Sequence, residues 1–313
     1  MPSAWREVTI GEHQGLTAET EALSVTILPG VGGKMASFRS RGSGFEYLWQ
    51  PPDGVYPVPE YGAQYGPEFA TGFDECFPTL LACEYPAEPW KGVPIPDHGE
   101  VWALPWEWRV VEGALTLAVA GRGLPYRLAK AIQVEGEEVL LRYRLTNLSE
   151  EPLRWLWSAH PLFNLTPGLV VHVPGRPAMT VYESLGDALG APGSLHRWPY
   201  AGEVDLALPA ERELAAEKVF LSGLGEGRVV LHYTEMGEGV SIQFPQETLT
   251  GIGLWYNVRG WPAEAPHHNV GVEPCSEPHE SLTDCRNVLA PGGEATWWMR
   301  WILFRWAPGR RAR

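Results

Sequence analysis

The sequence has 313 residues, of which 44% are hydrophobic and 20% are charged, and its formal net charge is −14 at pH 7. This length accommodates one large β domain or two ordinary domains. The acidic balance, without a long basic run, argues against nucleic acid or an anionic membrane as the main partner. No apolar run approaches the roughly 18 residues of a spanning helix, and the N-terminus does not resemble a secretory signal. We therefore expect a cytoplasmic protein.

The cysteines and tryptophans add two weaker indications. Cys76, Cys83, Cys275 and Cys285 show no CxxC spacing, which disfavours a zinc ribbon and predicts free thiols in a reducing compartment. Most of the 15 tryptophans must belong to the core. A few could instead line a sugar-binding cleft, where the apolar face of a pyranose stacks on an indole. Composition leaves both interpretations open.

Most of the chain follows a pattern of strand, turn and strand. Alternation of apolar and polar residues predicts strands over residues 115–120, 139–147, 153–160, 240–244 and 251–256. In the third of these, Trp155 and Trp157 share one face and His160 lies on the other. The last run, residues 297–306, is apolar on both faces, which is typical of a strand inside a sandwich.

Only residues 209–218 contain a run of good helix formers. Residues 50–74 form a long loop with five prolines and three tyrosines, and a loop of that length in a compact domain is usually functional, often as the wall of a site. No repeat or low-complexity linker divides the chain. We predict a single all-β domain over residues 1–313, built as a sandwich of large, mostly antiparallel sheets.

Two histidines are candidates for acid–base chemistry. His98 is followed by Gly99 after a proline-rich turn, and glycine allows the backbone to approach a cleft closely. His160 lies at the end of a predicted strand just before Pro161, and a histidine exchanges a proton near neutral pH. The alternatives are a surface-turn histidine at position 98 and a hydrogen-bonded core histidine at position 160.

Two carboxylates are further candidates. Glu273 follows a valine-rich stretch and precedes Pro274, so burial at a strand end would raise its pKa toward the operating pH. Asp74 lies among aromatic residues at the exit of the long loop. The alternative for Glu273 is a salt-bridged or exposed side chain, and the alternative for Asp74 is a residue of a capped turn.

A metal site at His267, His268 and Glu273 is the competing hypothesis. Adjacent histidines on a strand point to opposite faces, and the sequence lacks HExxH, an EF-hand loop and paired Cys/His spacing. It also lacks the glycine-rich nucleotide motifs and the GxSxG motif. We therefore predict neither a metal nor a nucleotide cofactor.

Taken together, these motifs resemble the galactose mutarotase (aldose 1-epimerase) superfamily. His98–Gly99 resembles the first His-Gly motif of that family, residues 160–165 (HPLFNL) resemble its H-x-x-F-N-L signature, and residues 271–274 (GVEP) resemble the strand that carries its catalytic base. Residues 32–38 and 44–49 resemble its opening hairpin. The matches extend over nearly the whole chain, and their order makes the combination fairly specific.

The resemblance implies a β-supersandwich, with large antiparallel sheets and a cleft across one face. It also implies an isomerase that interconverts the α and β anomers of a free aldose. Glu273 would be the general base, His160 would protonate the ring oxygen, and His98 would stabilise charge there. Such a reaction needs no cofactor, and its partner is a small neutral monosaccharide.

The sequence departs from the best-studied branch of that family in its sugar contacts. That branch carries an arginine and an asparagine after the first hairpin, whereas the corresponding loop here has no arginine. Trp255, Tyr256 and Asn257 stand where that branch has a sugar-binding aspartate. The predicted substrate contacts are therefore Asp74, Lys34, Trp49, Trp255 and Asn164.

Two other function classes remain open at this point. One is a carbohydrate-binding or sugar-sensing protein that has the fold without turnover. The other is a related sugar enzyme, such as an epimerase, a lyase or a hexose-6-phosphate mutarotase. The phosphate-specific version is disfavoured because Lys and Arg do not cluster near the motifs. The sequence indicates neither the sugar nor the oligomeric state.

Overall fold

The computed structural model describes residues 3–306, so the basic C-terminal tail from residue 307 onward lies outside the described residues. In chain order, the first thirteen strands are β1 (Trp5–Ile10), β2 (His13–Glu19), β3 (Leu23–Leu28), β4 (Lys34–Ser40), β5 (Phe73–Cys76), β6 (Cys83–Glu84), β7 (Pro94–Ile95), β8 (Glu107–Val111), β9 (Ala114–Ala120), β10 (Tyr126–Glu135), β11 (Glu138–Asn147), β12 (Leu153–Arg154) and β13 (Ser158–Asn164). They are followed by β14 (Leu169–His172), β15 (Ala178–Ser184), β16 (Leu195–Arg197), β17 (Tyr200–Ala201), β18 (Val204–Asp205), β19 (Ala215–Ser222), β20 (Arg228–Tyr233), β21 (Glu238–Gln243), β22 (Gly251–Val258), β23 (His268–Cys275), β24 (Val288–Leu289) and β25 (Glu294–Arg305). Short 3-10 helices cover Val101–Ala103, Leu185–Asp187 and Pro209–Glu211.

Two large sheets contain most of the strands. One has thirteen strands in the order β1-β2-β3-β4-β5-β13-β23-β22-β19-β15-β16-β17-β18, and the other has eight in the order β14-β20-β21-β25-β11-β10-β9-β8. The registered pairs within both sheets are antiparallel. The all-β prediction and the prediction of large antiparallel sheets are confirmed.

The sheets pack against each other through aromatic side chains. Trp301 of β25 contacts Phe38 of β4, Phe73 of β5 and Phe163 of β13, with ring centroids 5.3–5.4 Å apart. Rings of this size bury a large apolar area, and their tilted and offset contacts favour one defined arrangement. The predicted tryptophan-rich core is therefore present, and it fixes the strands that carry the sequence motifs.

Alternation in the sequence becomes alternation of burial in the structure. In β10, burial alternates with a period of two from Tyr126 to Val134, as expected for a strand with one face toward the core. A short turn at Gly136 joins β10 to β11 and pairs Glu135 with Glu138. The φ of Gly136 is +56°, which suits a tight hairpin turn and is favourable for glycine.

The run of good helix formers over residues 209–218 does not form an α-helix. Only Pro209–Glu211 forms a 3-10 turn, and β19 begins at Ala215. From Ala215 to Leu221, the odd-numbered residues point into the protein, and Val219 is fully buried. Pairing with β15 and β22 therefore overrides the local helix propensity, as tertiary context often does.

Two of the predicted strands also differ in detail. Residues 153–160 do not form one strand, because β12 pairs with β24 and β13 belongs to the large sheet. The final strand is not buried on both faces, because Trp298 and Ile302 are only partly buried on the outer face of the smaller sheet. No helix within residues 3–306 has the length and apolar character needed to cross a bilayer.

Candidate active site

The candidate site lies on one face of the large sheet, in a row that runs across four neighbouring strands. Asp74 of β5 is paired with His160 of β13, and Glu273 of β23 is paired with Gly253 of β22. In the β13–β23 register, Ser158 pairs with Cys275 and Leu162 with Gly271. His160 therefore lies opposite Glu273, midway between these two pairs. Directly opposed residues point to the same face, so antiparallel pairing brings these distant positions together.

A cleft of about 580 Å³ opens above this row. Its aromatic and titratable lining consists of Tyr65, His98, His160, Tyr182, Glu183, Lys218, Trp255, Trp261, His267 and Glu280. The predicted loop of residues 50–74 supplies Tyr65 to this lining, so it forms part of the cleft wall. Among the described residues, no arginine lines the cleft.

Glu273 does not itself line the cleft: it is fully buried and contacts the lining residues His160 and Lys218. Its Oε2 accepts a hydrogen bond from Nζ of Lys218. Its Oε1 has no hydrogen-bond partner and lies 3.8 Å from Nε2 of His160. Burial raises the pKa of Glu273, and the adjacent ammonium of Lys218 opposes that rise. The two carboxylate oxygens therefore have different surroundings.

His160 faces Glu273 with one ring nitrogen and Tyr65 with the other. Tyr65 donates its hydroxyl hydrogen to Oδ2 of Asp74 at 2.9 Å, and its oxygen lies 3.4 Å from Nδ1 of His160. Burial lowers the pKa of His160 well below its usual value, and the nearby His98 and Lys218 add to this effect. Burial and Asp74 raise the pKa of Tyr65, so its hydroxyl keeps its proton.

His98 reaches the same cleft from a turn. Its φ is +58°, an uncommon conformation for a residue other than glycine, and its ring stacks on Tyr65 with centroids 4.2 Å apart. Nδ1 of His98 lies 3.1 Å from Oδ1 of Asp97. A Cβ on Gly99 would lie 2.0 Å from the carbonyl oxygen of Phe77. The predicted close approach at the His-Gly pair is therefore present.

Comparison with known structures identifies the architecture. A candidate aldose 1-epimerase from Escherichia coli K12 is 15% identical, covers 93% of this chain and 98% of its own, and has a TM-score of 0.70. A galactose mutarotase-like protein from Clostridium acetobutylicum is 12% identical, with coverages of 97% and 99% and a TM-score of 0.68. The chain has the galactose mutarotase-like fold. A galactose mutarotase related enzyme from Lactobacillus acidophilus agrees, at 16% identity, coverages of 93% and 97% and a TM-score of 0.67. No protein-family model and no curated protein matches the sequence.

On this galactose mutarotase-like fold, His98 and His160 line one cleft, and the buried Glu273 lies behind that lining, against His160. The predicted contact Trp255 also lines the cleft, and Trp49 packs beside it against His267, with ring centroids 5.3 Å apart. The other predicted contacts have protein partners instead.

Lys34, Asp74 and Asn164 hold the floor and edge of the site together. Nζ of Lys34 donates to Asp74 and to the carbonyl oxygen of Thr71 at 2.7 Å. The Asn164 amide donates to the carbonyl oxygens of Glu46 at 2.8 Å and of Leu48 at 3.1 Å. None of these three side chains is in the lining of the cleft.

Sequence reasoning missed several residues of the site, of which Lys218 is the most important. It lies at the end of the run of helix formers over residues 209–218, where its position gave no indication of a cleft. Tyr65, Trp261 and Glu280 were likewise missed, because turns and loops bring them to the cleft. A search for alternation within residues 215–222 could have placed Lys218 on the cleft face of a strand.

The two adjacent histidines point in different directions. His267 lines the cleft, whereas His268 does not, as the alternation of side chains on a strand predicts. Burial lowers the pKa of both side chains. Within residues 3–306, no group of three or more His, Cys, Asp or Glu side chains is arranged to hold a metal ion.

Proposed function

We propose that this protein is a mutarotase-like isomerase that interconverts the α and β anomers of a free aldose. The observation that carries the proposal is the unpartnered Oε1 of the buried Glu273, which faces Nε2 of His160 at 3.8 Å where His160 lines a cleft with aromatic walls. The adjacent ring oxygen and anomeric hydroxyl of a cyclic sugar need such a donor and acceptor side by side. Proteins of the same fold that are described as galactose mutarotase-like support the proposal.

The proposed reaction moves two protons. Glu273 takes the proton of the anomeric hydroxyl while His160 gives a proton to the ring oxygen. The bond between C1 and the ring oxygen breaks, and the sugar becomes an open-chain aldehyde. After rotation about C1–C2, the same steps run in reverse on the other face and restore both residues. His98 stabilises charge near the ring oxygen from the opposite wall.

The proton affinities of the two residues suit this exchange. Burial raises the pKa of Glu273 and so makes its ionised form a stronger base. Burial also lowers the pKa of His160 and so makes its protonated form a stronger acid. Each shift therefore strengthens the residue in its proposed role, Glu273 as the base and His160 as the acid.

The walls of the cleft fit a neutral sugar. Trp255 and Trp261 lie on one side, with ring centroids 6.5 Å apart, and offer apolar surface to the C–H face of a pyranose. Glu183 and Glu280 contribute negative charge to the lining and disfavour phosphorylated or acidic sugars. We propose a neutral monosaccharide as the partner, no cofactor for these steps, and the cytoplasm as the compartment.

A second candidate function is sugar binding without turnover. The observation that favours it is the complete burial of Glu273 together with its contact to Lys218. A carboxylate fixed in this way could act as a hydrogen-bond acceptor for a sugar hydroxyl and never change its protonation state.

Polarimetry with fresh α-glucose, α-galactose and other aldoses tests the proposal. We expect the protein to accelerate equilibration of at least one sugar beyond the buffer rate. Glu273→Gln should lower that acceleration by about 10²–10⁴-fold, the range typical of a lost general base, while sugar affinity measured by calorimetry is largely kept. Glu238→Gln is the matched control, because Glu238 is also buried but bonds to Ser40, Ser43, Tyr47 and Arg305, none of which lines the cleft.

The outcomes separate the two functions. Acceleration that survives in Glu273→Gln contradicts the assignment of the base. Sugar binding without acceleration by the unmodified protein would favour the binding function. If no sugar is either bound or equilibrated, both are wrong for the sugars tested.

A further inference from the structure

Lys218 makes an ion pair with Glu273 that the strand geometry is built to allow. Lys218 lies on β19 and Glu273 on β23, with β22 between them. The lysine side chain crosses β22 beside Gly253. A Cβ at Gly253 would lie 2.9 Å from Oε2 of Glu273 and 3.2 Å from Cε of Lys218. The missing side chain at Gly253 is therefore what lets the ammonium reach the carboxylate.

A second carboxylate holds Lys218 from the other side. Oε1 of Glu280 lies 3.7 Å from Nζ of Lys218. The backbone of Glu280 is itself fixed, because its carbonyl oxygen accepts hydrogen bonds from the amides of Leu80 at 3.1 Å and Leu81 at 3.0 Å. Lys218 lines the cleft, although only 6% of its side chain is exposed. The ammonium is thus held in place at the wall of the site.

We propose that Lys218 is a positioning residue that keeps Glu273 ionised and selects Oε1 as the oxygen that receives the proton. This inference rests on the proposed function. Contact with Lys218 occupies Oε2 and leaves Oε1 unpartnered toward His160. A buried carboxylate without a cation would take up a proton and lose its ability to accept another. Lys218 therefore acts on the reaction through Glu273.

The charges around Lys218 argue against a nucleophilic role. Burial alone would lower its pKa, but the carboxylates of Glu273 and Glu280 outweigh burial and raise it. The side chain therefore stays protonated and has no free electron pair with which to attack an open-chain aldehyde. The other titratable groups that interact with the pair are His98, His160, Tyr65, Cys76, Tyr182, Glu183 and Cys275.

The test measures the pKa of Glu273 directly, in the protein without sugar. Glutamate labelled with ¹³C at the side-chain carboxyl is followed by NMR across pH, and Glu273→Gln identifies the resonance. We expect Lys218→Met to raise this pKa by about one to three pH units, the range for loss of an adjacent opposite charge. Lys218→Arg should restore a value near that of the unmodified protein.

A second variant provides a shift of opposite sign. The charge of Glu280 contributes to the raised pKa of Glu273, so Glu280→Gln should lower that pKa.

Lys218→Gln keeps a polar side chain without the charge, and it replaces Lys218→Met if the methionine variant does not fold. Folding is checked by circular dichroism in each case.

The kinetic readout is the acidic limb of the pH–rate profile for the accelerated sugar. In Lys218→Met this limb should move to higher pH, with about a tenfold loss of rate on the limb for each pH unit of the shift. An unchanged pKa of Glu273 in folded Lys218→Met overturns the inference, whatever the activity. A raised pKa in a protein that equilibrates no aldose contradicts the proposed function and leaves the electrostatic role of Lys218 supported.

Discussion

Replacement of Lys130 by methionine tests whether a buried ion pair holds the floor of the site against the second sheet. Lys130 on β10 of the smaller sheet is 2% exposed, and Glu75 on β5 of the larger sheet is fully buried. Nζ of Lys130 lies 2.7 Å and 2.8 Å from the two carboxylate oxygens of Glu75 and donates to the carbonyl oxygen of Gly33 at 2.7 Å. Tyr143 donates to the same carboxylate at 3.1 Å. Glu75 directly follows Asp74, so the pair lies beneath the row of site residues.

The magnitude follows from what the substitution leaves behind. Methionine matches the lysine stem in size but removes all three hydrogen bonds of Nζ, so the Glu75 carboxylate remains buried with only Tyr143 as its partner. Removing one member of a buried pair typically costs about 3–5 kcal/mol in the free energy of unfolding. We expect Lys130→Met to fall in this range at neutral pH. The double variant with Glu75→Gln should recover at least half of the loss, because no unpaired charge remains.

The loss should depend on pH in a defined direction. Burial raises the pKa of Glu75, and the ammonium of Lys130 opposes the rise. A carboxyl whose folded pKa is raised contributes stability below its unfolded pKa, and this contribution is lost as pH rises through the folded pKa. Without Lys130 the pKa of Glu75 rises further, so the deficit is largest at neutral pH and shrinks on acidification, when Glu75 is protonated.

Denaturant unfolding at neutral pH and near pH 4.5 measures the effect, with the unmodified protein and the double variant as controls. If Lys130→Met loses less than about 1 kcal/mol in the free energy of unfolding at neutral pH, the attraction between Lys130 and Glu75 does little more than offset the cost of removing both charges from water, as in some buried pairs. A deficit that stays constant on acidification would show that lost packing, rather than the unpaired charge of Glu75, is the cause.

Two further predictions concern the reaction itself. The protein-dependent rate should be bell-shaped in pH, because Glu273 must be ionised and His160 must be protonated. The raised pKa of Glu273 moves the acidic limb above the ordinary value of 4.5, and the lowered pKa of His160 moves the alkaline limb below the ordinary value of 6.5. A plateau that extends beyond pH 8 after subtraction of the buffer rate would contradict this. Gly271→Ala places a Cβ 2.7 Å from Oε1 of Glu273 and 3.0 Å from Cβ of Trp255, so it should lower the rate at least tenfold and cost about 1–3 kcal/mol of stability through overpacking. Gly30→Ala meets no atom within 4 Å and should have no effect, and equal rates in the two alanine variants would mean that the position of Oε1 does not matter.

The strands that carry the fold were predictable because each is defined by local alternation. The strand predicted over residues 139–147 coincides with β11 almost residue for residue. The helix formers of residues 209–218 were a misleading local signal, because long-range pairing with β15 and β22 makes part of this segment a strand. The separation of β12 from β13 could not be predicted either, because the alternation of apolar and polar residues continues across the point where the chain passes from one sheet to another.

The site was predictable only in part. His98, His160 and Glu273 belong to short motifs whose order in the chain resembles a known family, so they could be chosen before any contact was known. Lys218 has no such motif, and its role depends on the register of β19 against β22. Lys34 and Asp74 were chosen as polar residues near the motifs, but their side chains bond to each other, and no local pattern in the sequence specifies that contact.

The glycines beside Glu273 connect the sequence to the chemistry of the site. Glycine in a strand interior is unfavourable and often marks the close approach of another group. Gly253 and Gly271 are both such residues, and a Cβ at either position would meet an oxygen of Glu273. One glycine makes room for Oε2 and its lysine, and the other makes room for Oε1 on the side of His160. These glycines weaken their strands, but they leave the space in which the Glu273 carboxylate is held in a single orientation. Glycines inside these two strands were therefore a sign of the site that was already present in the sequence.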